Sequence, residues 1–348
     1  MQPDSKTIAW LLENDNPPVR YLTLTNLLKK SSSTKVVQEA KSQIMKYEVT
    51  QEILQHFHEF IKDDDKASWK YQGKYWQLIF LGQFLADRSD PRVAELAENI
   101  LQSRKWISST GMQCVTAKIL QALVRLGYSD NPFVVEETAT LAKRILDDQG
   151  IKCTLMDYSL LPRCQMALPK LLLCFGQIPE EKRDSVVGKA IDRVVKSLLQ
   201  NKISKYVPGN RKKWQEVLAT APKRSELPKG QTVKDWVFDQ KEMFLQSYGI
   251  GDREAKPGWV KFGFPSHYNS DILEAMYALA LVGMPMNPQL EEPLEVIENK
   301  MREGFIWNLD NSLNGKMLMD VEQKGKPSKW ITYFALYVLN HFGRLTIG

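Results

Sequence analysis

Apolar and polar positions along the chain follow two helical patterns that alternate. In the first, nearly every face is apolar: LIFLGQFLA (78–86), MALPKLLLCF (166–175), DILEAMYALALVG (271–283) and WITYFALYVLNHF (330–342). Helices of this kind must be covered all round, so they belong to an interior layer. In the second, one face is apolar. Within VVGKAIDRVVKSLL (186–199) the pairs Val186/Val187, Ala190/Ile191, Val194/Val195 and Leu198/Leu199 recur every four residues, with Lys189, Asp192, Arg193 and Lys196 on the other face. The same one-sided pattern runs through 92–101, 134–146 and 289–300. Runs of alternating β-branched residues bounded by hairpin turns are missing. The patterning predicts an all-α chain.

Short turns such as LGYSDNP (126–132) and VGMPMNP (282–288) join the two kinds of helix, and the enclosed helices begin near Tyr75, Cys114, Arg163, Asp271 and Trp330. Repeated hairpins with two-layer polarity form either an open solenoid or a closed α/α toroid. In a solenoid both layers keep a solvent-facing side, so helices without a polar face favour closure. The expectation is one α/α-toroid domain over 1–348, with flanking helical hairpins in 1–60. The stretch NDNPPVRYLTLTNLLKK (14–30) looks like the start of a HEAT-type helix and keeps the solenoid as the alternative.

Composition adds little to the fold and something to the setting. Hydrophobic residues at 43% and charged residues at 25% are those of a globular protein. Nine Trp and twelve Tyr suit broad helix packing or an aromatic-lined cavity. The four cysteines (Cys114, Cys153, Cys164, Cys174) show no paired spacing and read as free thiols. The opening residues lack the pattern of a secretion signal, and the longest apolar stretch, 275–286, falls short of the roughly 20 residues a membrane span needs. These features predict a cytoplasmic protein.

Charge is unevenly placed. Between Asn201 and Lys241 stand ten basic and four acidic residues, an excess equal to the +6 of the whole chain. With Pro208, Gly209, Pro222, Pro228 and Gly230, the region 201–262 reads as a basic, loop-rich insertion. It is either a solvated surface loop or a rim for phosphate, nucleic acid or an anionic membrane surface.

Familiar chemical signatures are missing: no HExxH, GxxxxGK[ST], GxGxxG or GxSxG occurs. His56 and His58 sit two apart and point to different helix faces, so they do not make a ligand pair. His341, near a helix C-terminus, reads as a dipole partner. The consecutive Asp63, Asp64 and Asp65 diverge and read as a solvated loop. Neither a metal nor a cofactor is expected.

The stretches YWQLIFLGQFLADRSDPRV (75–93), CVTAKILQALVRLGYSDNPFV (114–134), RCQMALPKLLLCFGQIP (163–179), FGFPSHYNSDILEAMYALALVG (262–283) and PSKWITYFALYVLNHF (327–342) resemble the inner-helix starts of the α/α-toroid superfamily. That superfamily contains squalene–hopene cyclases, other terpene cyclases and prenyltransferase β subunits. The resemblance covers most of the chain from about Ile8. The fragments LDDQGIKC (146–153) and REGFIWNL (302–309) look like degraded forms of the family's turn between helices. The catalytic marks of the known branches are missing: neither Asp-x-Asp-Asp nor Asp-Asp-x-x-Asp occurs, and no cysteine has Asp two residues before it, as the zinc site of prenyltransferases requires. Fold likeness does not by itself carry function.

What the resemblance implies is a central cavity with helix N-termini, and their partial positive charge, at one end. Residues at those starts are the candidate ligand contacts: Tyr75, Trp76, Gln113, Cys114, Arg163, Cys164, Gln165, Lys329 and Trp330. For acid–base chemistry the candidates are His267, Tyr268 and Asp271. Their alternative is structural, with Ser266, Asn269 or Ser270 capping the helix and Asp271 complementing its dipole. The leading functional expectation is a hydrophobic small molecule in the cavity, isoprenoid (including an isoprenoid diphosphate) or lipid-like, bound or turned over in a terpene cyclase- or prenyltransferase-like way. The alternative is a HEAT-like module holding nucleic acid or protein on a basic surface. A carbohydrate-active barrel ranks last, since only Asp271 stands out as a carboxylate.

Overall fold

A computed structural model of the chain describes residues 2–62, 70–107, 113–146, 166–200 and 258–347, and, between 203 and 243, residues 203, 216, 219–233, 235–237, 239–240 and 243. The described residues are all-α, and the few β-type contacts are isolated bridges at Gly263/Asn311, Arg302/Ile306 and Asn308/Pro327. Arg163, Cys164, Gln165, Cys153 and the Asp63–Asp65 run lie outside the described residues, as does most of the basic region 201–241.

Both expected kinds of helix form. The enclosed kind comprises α6 (Lys74–Gln83), α8 (Gln113–Leu123), α10 (Leu168–Gly176), α12 (Ile272–Leu281) and α14 (Lys329–His341). Every residue of α6 is buried. The one-sided kind comprises α3 (Lys35–Ile44), α7 (Pro91–Ser103), α9 (Pro132–Leu146), α11 (Ser185–Gln200) and α13 (Glu291–Glu298). Before them come α1 (Ser5–Leu11), α2 (Pro17–Leu22), which continues into a π-turn at Thr23–Leu27, and the short α4 (Glu48–Gln55) and α5 (Phe57–Phe60). Side-chain caps start several helices: Asn16 accepts from the Val19 N–H, Asp90 from Arg92 and Ser328 from Ile331.

Each enclosed helix packs on the next: α8 lies between α6 and α10, α12 between α10 and α14, and α14 against α1, α2 and the π-turn. The one-sided helices pack behind them, α7 on α6, α9 on α8, α11 on α10 and α13 on α12. The approach of α6 to α8 is close enough that a methyl group at Gly82 would lie 2.6 Å from the Ala122 Cα. Chain ends meet as well: Asn26 Nδ2 donates to the Tyr333 hydroxyl at 2.8 Å, Thr7 Oγ1 to the Gly304 carbonyl, and Lys329 pairs with Glu13 and Asp15.

A recurring device joins the layers. Trp106, Trp259 and Trp307 are fully buried, and each donates its indole N–H to a carbonyl, of Ile100, Ile203 and Ile297 respectively, at 2.6–2.7 Å. Ile100 and Ile297 lie in the last turns of α7 and α13. The backbone of each Trp also bonds the following enclosed helix: Trp106 O accepts from Thr116 Oγ1, Trp259 O from Ile272 N, and Trp307 N donates to Thr332 Oγ1. Two of the three indoles thus bond a carbonyl in the last turn of a one-sided helix, and all three tryptophans fix the start of the next enclosed helix. The sequence fragment REGFIWNL marks one of these three places.

Candidate functional site

Three enclosed helices each carry a charge where the pattern calls for an apolar residue: Lys118 on α8, Lys170 on α10 and Glu274 on α12. A buried charge needs a partner, and these three find one another. Lys170 Nζ lies 3.1 Å from Glu274 Oε2, and Lys118 Nζ 3.9 Å from Oε1. Both lysines are buried almost completely.

The segment 263–270 completes the cluster. Lys118 donates to Ser266 Oγ at 2.6 Å, Lys170 donates to Ser270 Oγ, and Ser266 Oγ donates to Glu274. Ser270 Oγ in turn reaches the Met166 carbonyl at 2.9 Å. On the α6 side, the Gln83 amide holds the Ser266 backbone at both ends, accepting from its N–H at 2.9 Å and donating to its carbonyl at 3.1 Å. Phe264 stacks on Trp330 of α14, with ring centres 4.0 Å apart and planes at 15°. Tyr268 accepts from Trp76 Nε1 at 3.3 Å. One irregular stretch therefore touches α6, α8, α10, α12 and α14 and lies among them.

Electrostatics follow from this burial. Burial pushes the Glu274 carboxyl up, but Lys170 and Lys118 outweigh it and hold it at about 2. Burial pulls the Lys118 ammonium down to about 7 against the pull of Glu274. Asp271 is raised to about 7 by burial and by the Glu274 charge, opposed by two backbone N–H groups. His267 is pulled down to about 3 by burial and the Lys170 charge, so its ring is neutral.

A pH dependence follows for Lys118. Because its folded value lies below the ordinary 10.5, stability is lowest where it is protonated in both states, below about 7, and rises between about 7 and 10.5. The Lys118→Met variant lacks that gain. Urea midpoints at pH 7 and pH 9 check this: the wild type is expected to gain on the variant at the higher pH, and parallel behaviour would refute it.

A cavity of about 50 Å³ adjoins the cluster and draws its lining from α2, α6, α8, α10, α12, α14 and the 263–271 stretch. Its lining is part aromatic (Phe264, Tyr277, Trp330, Phe334) and part polar (Gln83, Gln121, Arg125, Ser266, Asp271, Glu274). A smaller cavity of about 20 Å³ shares Ser266, Asp271 and Glu274 with it and adds His267 and Asn269. Elsewhere, a wider cleft of about 470 Å³ opens between the start of α14 with the 319–327 stretch before it, the end of α1 and α4, lined by Trp10, Tyr47, Glu322 and Lys329 among others. Glu322 there accepts the Lys329 N–H at 2.8 Å and the Ser328 hydroxyl, and burial raises it to about 7.

The sequence-predicted residues distribute as follows. Asp271 and Trp330 line the main cavity; Lys329 lines the wide cleft. Asp271 is itself the cap of α12, accepting from Glu274 N at 2.8 Å and from Gly263 N at 2.9 Å, whereas Ser266 and Ser270 serve the lysines. His267 Nδ1 accepts the Asn269 N–H at 3.0 Å and shapes the turn. Tyr268 and Trp76 form an aromatic group with Tyr71, their ring centres 4.7–5.7 Å apart. Tyr75 is buried in α6, and Gln113 and Cys114 open α8 outside the main cavity lining. The cavity does not gather helix N-termini at one end, because Gln83 and Arg125 come from the C-terminal ends of α6 and α8.

Sequence reasoning missed Lys118, Lys170, Glu274, Gln83, Gln121 and Arg125. The signal was present as isolated polar letters inside otherwise apolar helices, with Lys118, Gln121 and Arg125 at spacings of three and four along one face. Among the described residues no group of three or more His, Cys, Asp or Glu is placed to hold a metal ion, and no helix is long and apolar enough to cross a membrane. The chain matches no protein-family model, and neither a curated protein nor a solved structure shows significant similarity to it.

Proposed function

We propose that the chain is an α/α toroid, with α2, α6, α8, α10, α12 and α14 as its inner layer, and that it binds a ligand with a hydrophobic body, isoprenoid or lipid-like, at its centre. The toroid reading is supported by the serial packing of the enclosed helices, the meeting of the chain ends and the repeated Trp device. The observation that carries the ligand reading is the mixed lining of the cavity, four aromatic rings together with polar and charged side chains, to which all six helices contribute. Groups able to move protons stand close by: Asp271 lines the cavity, Lys118 bonds to the lining residue Ser266, and both are held near neutrality. The space of about 50 Å³ is about a third of a cavity that holds benzene, so it takes a short apolar group. A longer body would require the 263–270 segment to move.

Native mass spectrometry with lipid extraction of freshly purified protein, together with thermal shifts in polyprenyl diphosphates and fatty acids, tests the proposal. A ligand at a hundredfold excess over its Kd adds about 2.7 kcal/mol, a few degrees in Tm for a chain of this size. Absence of both a co-purified hydrophobic molecule and any shift would overturn it.

A further inference from the structure

Two polar side chains of the cavity lining, Gln121 and Arg125, keep donors that no described residue takes up. Gln121 is only 6% exposed, lines the cavity, and has no hydrogen-bond partner among the described residues. Its amide reaches the cavity rather than a described protein partner, so its donors and acceptor are available to a polar group bound there. Arg125, four residues on and on the same face, also lines the cavity. It spends Nε on the Gln177 side chain at 3.2 Å and forms no ion pair with any carboxylate among the described residues. Of the charged side chains that the described residues bring to the lining, Glu274 is paired with Lys118 and Lys170 behind it and Asp271 caps α12, so Arg125 is the one cation among them that faces the cavity.

We infer that Arg125 and Gln121 form the head-group site for a carboxylate, so that the ligand of the central cavity is a hydrophobic carboxylic acid. The inference rests on the reading of this cavity as the ligand site. A guanidinium presents two parallel N–H donors that match the two oxygens of a carboxylate, and the Gln121 amide adds a further donor beside them. Charge selects the head group. One guanidinium free of a carboxylate balances one negative charge, whereas a diphosphate brings more charge than the mouth of the cavity neutralises. The apolar part of the acid then lies against the aromatic rings of the lining.

The test compares octanoate, octan-1-ol and octyl diphosphate on the full chain by calorimetry and thermal shift, for the wild type and for Arg125→Gln, Arg125→Lys and Gln121→Leu. Expected is octanoate binding tighter than octanol, with Arg125→Gln weakening octanoate by roughly tenfold to a hundredfold. Octanol binding falls less than octanoate binding in that variant, and an unchanged circular dichroism spectrum shows that the fold is intact. Arg125→Lys recovers part of the loss, because it keeps the charge without the fork. Gln121→Leu weakens octanoate and strengthens octanol. Equal binding of octanoate and octanol, indifference of octanoate to Arg125→Gln, or tighter binding of octyl diphosphate would overturn the carboxylate assignment while leaving the cavity reading in place. Failure of all three probes to bind the wild type would overturn both.

Discussion

Replacing Glu274 by alanine is expected to remove about 3–5 kcal/mol of stability, the cost of depriving buried charge of its partner. Glu274 faces both Lys118 and Lys170, and its own side chain is only 11% exposed. Solvent therefore does little to soften the loss, and Lys118 and Lys170 are left buried without the carboxylate they share, Lys118 as a neutral amine. Measured against a typical total of about 5–15 kcal/mol, the change takes the protein close to its unfolding limit. Urea unfolding reads it directly. A control separates charge from volume: adding Lys118→Met and Lys170→Met to a Glu274→Met background replaces the whole cluster with apolar groups and should restore most of the stability. An alanine variant within about 1 kcal/mol of the wild type would show that the cluster is not the buried unit described here.

The second large effect is expected at Trp330. It is 1% exposed, stacks on Phe264, and lies near Phe84 and Phe334. Trp330→Ala should cost about 3–5 kcal/mol through lost burial and the cavity it leaves, and Trp330→Phe much less. The aromatic anchor of the 263–270 segment goes with it, so amide hydrogens in that segment should exchange faster in the alanine variant than in the phenylalanine one. Equal stability of the two variants would mean that the stack does not hold the segment.

Helix type and layer were readable from the chain because each depends on local periodicity. The run MYALALVG has no polar face, and no other environment would cover it. The cap at Asp271 was likewise local: the acceptor and the N–H it serves are three residues apart. The site was not local. Lys118 and Ser266 are 148 residues apart, and Gln83 and Ser266 are 183 apart. No window of sequence contains both partners, and a single lysine in MALPKLLLCF reads as a tolerated exception. The signal becomes visible only when several enclosed helices each hold one polar residue, since buried charges on different helices must be paired in space. Polar residues at the helix starts, by contrast, drew attention to Tyr75, Trp76 and Gln113, which serve packing or lie outside the main cavity lining.

The position of the 263–270 segment has a consequence for how the molecule is made. A chain leaves the ribosome from its N-terminus at about 5–20 residues per second. Helices α6, α8 and α10 are complete long before Ser266, Ser270 and Glu274 exist. Until then Lys118 and Lys170 have nothing buried to bond to and must keep water, so the faces that carry them cannot close. The first half of the protein is thus held open during synthesis by two unmatched ammonium groups, and packing of the early helices into a dry core waits on a stretch encoded in the last third.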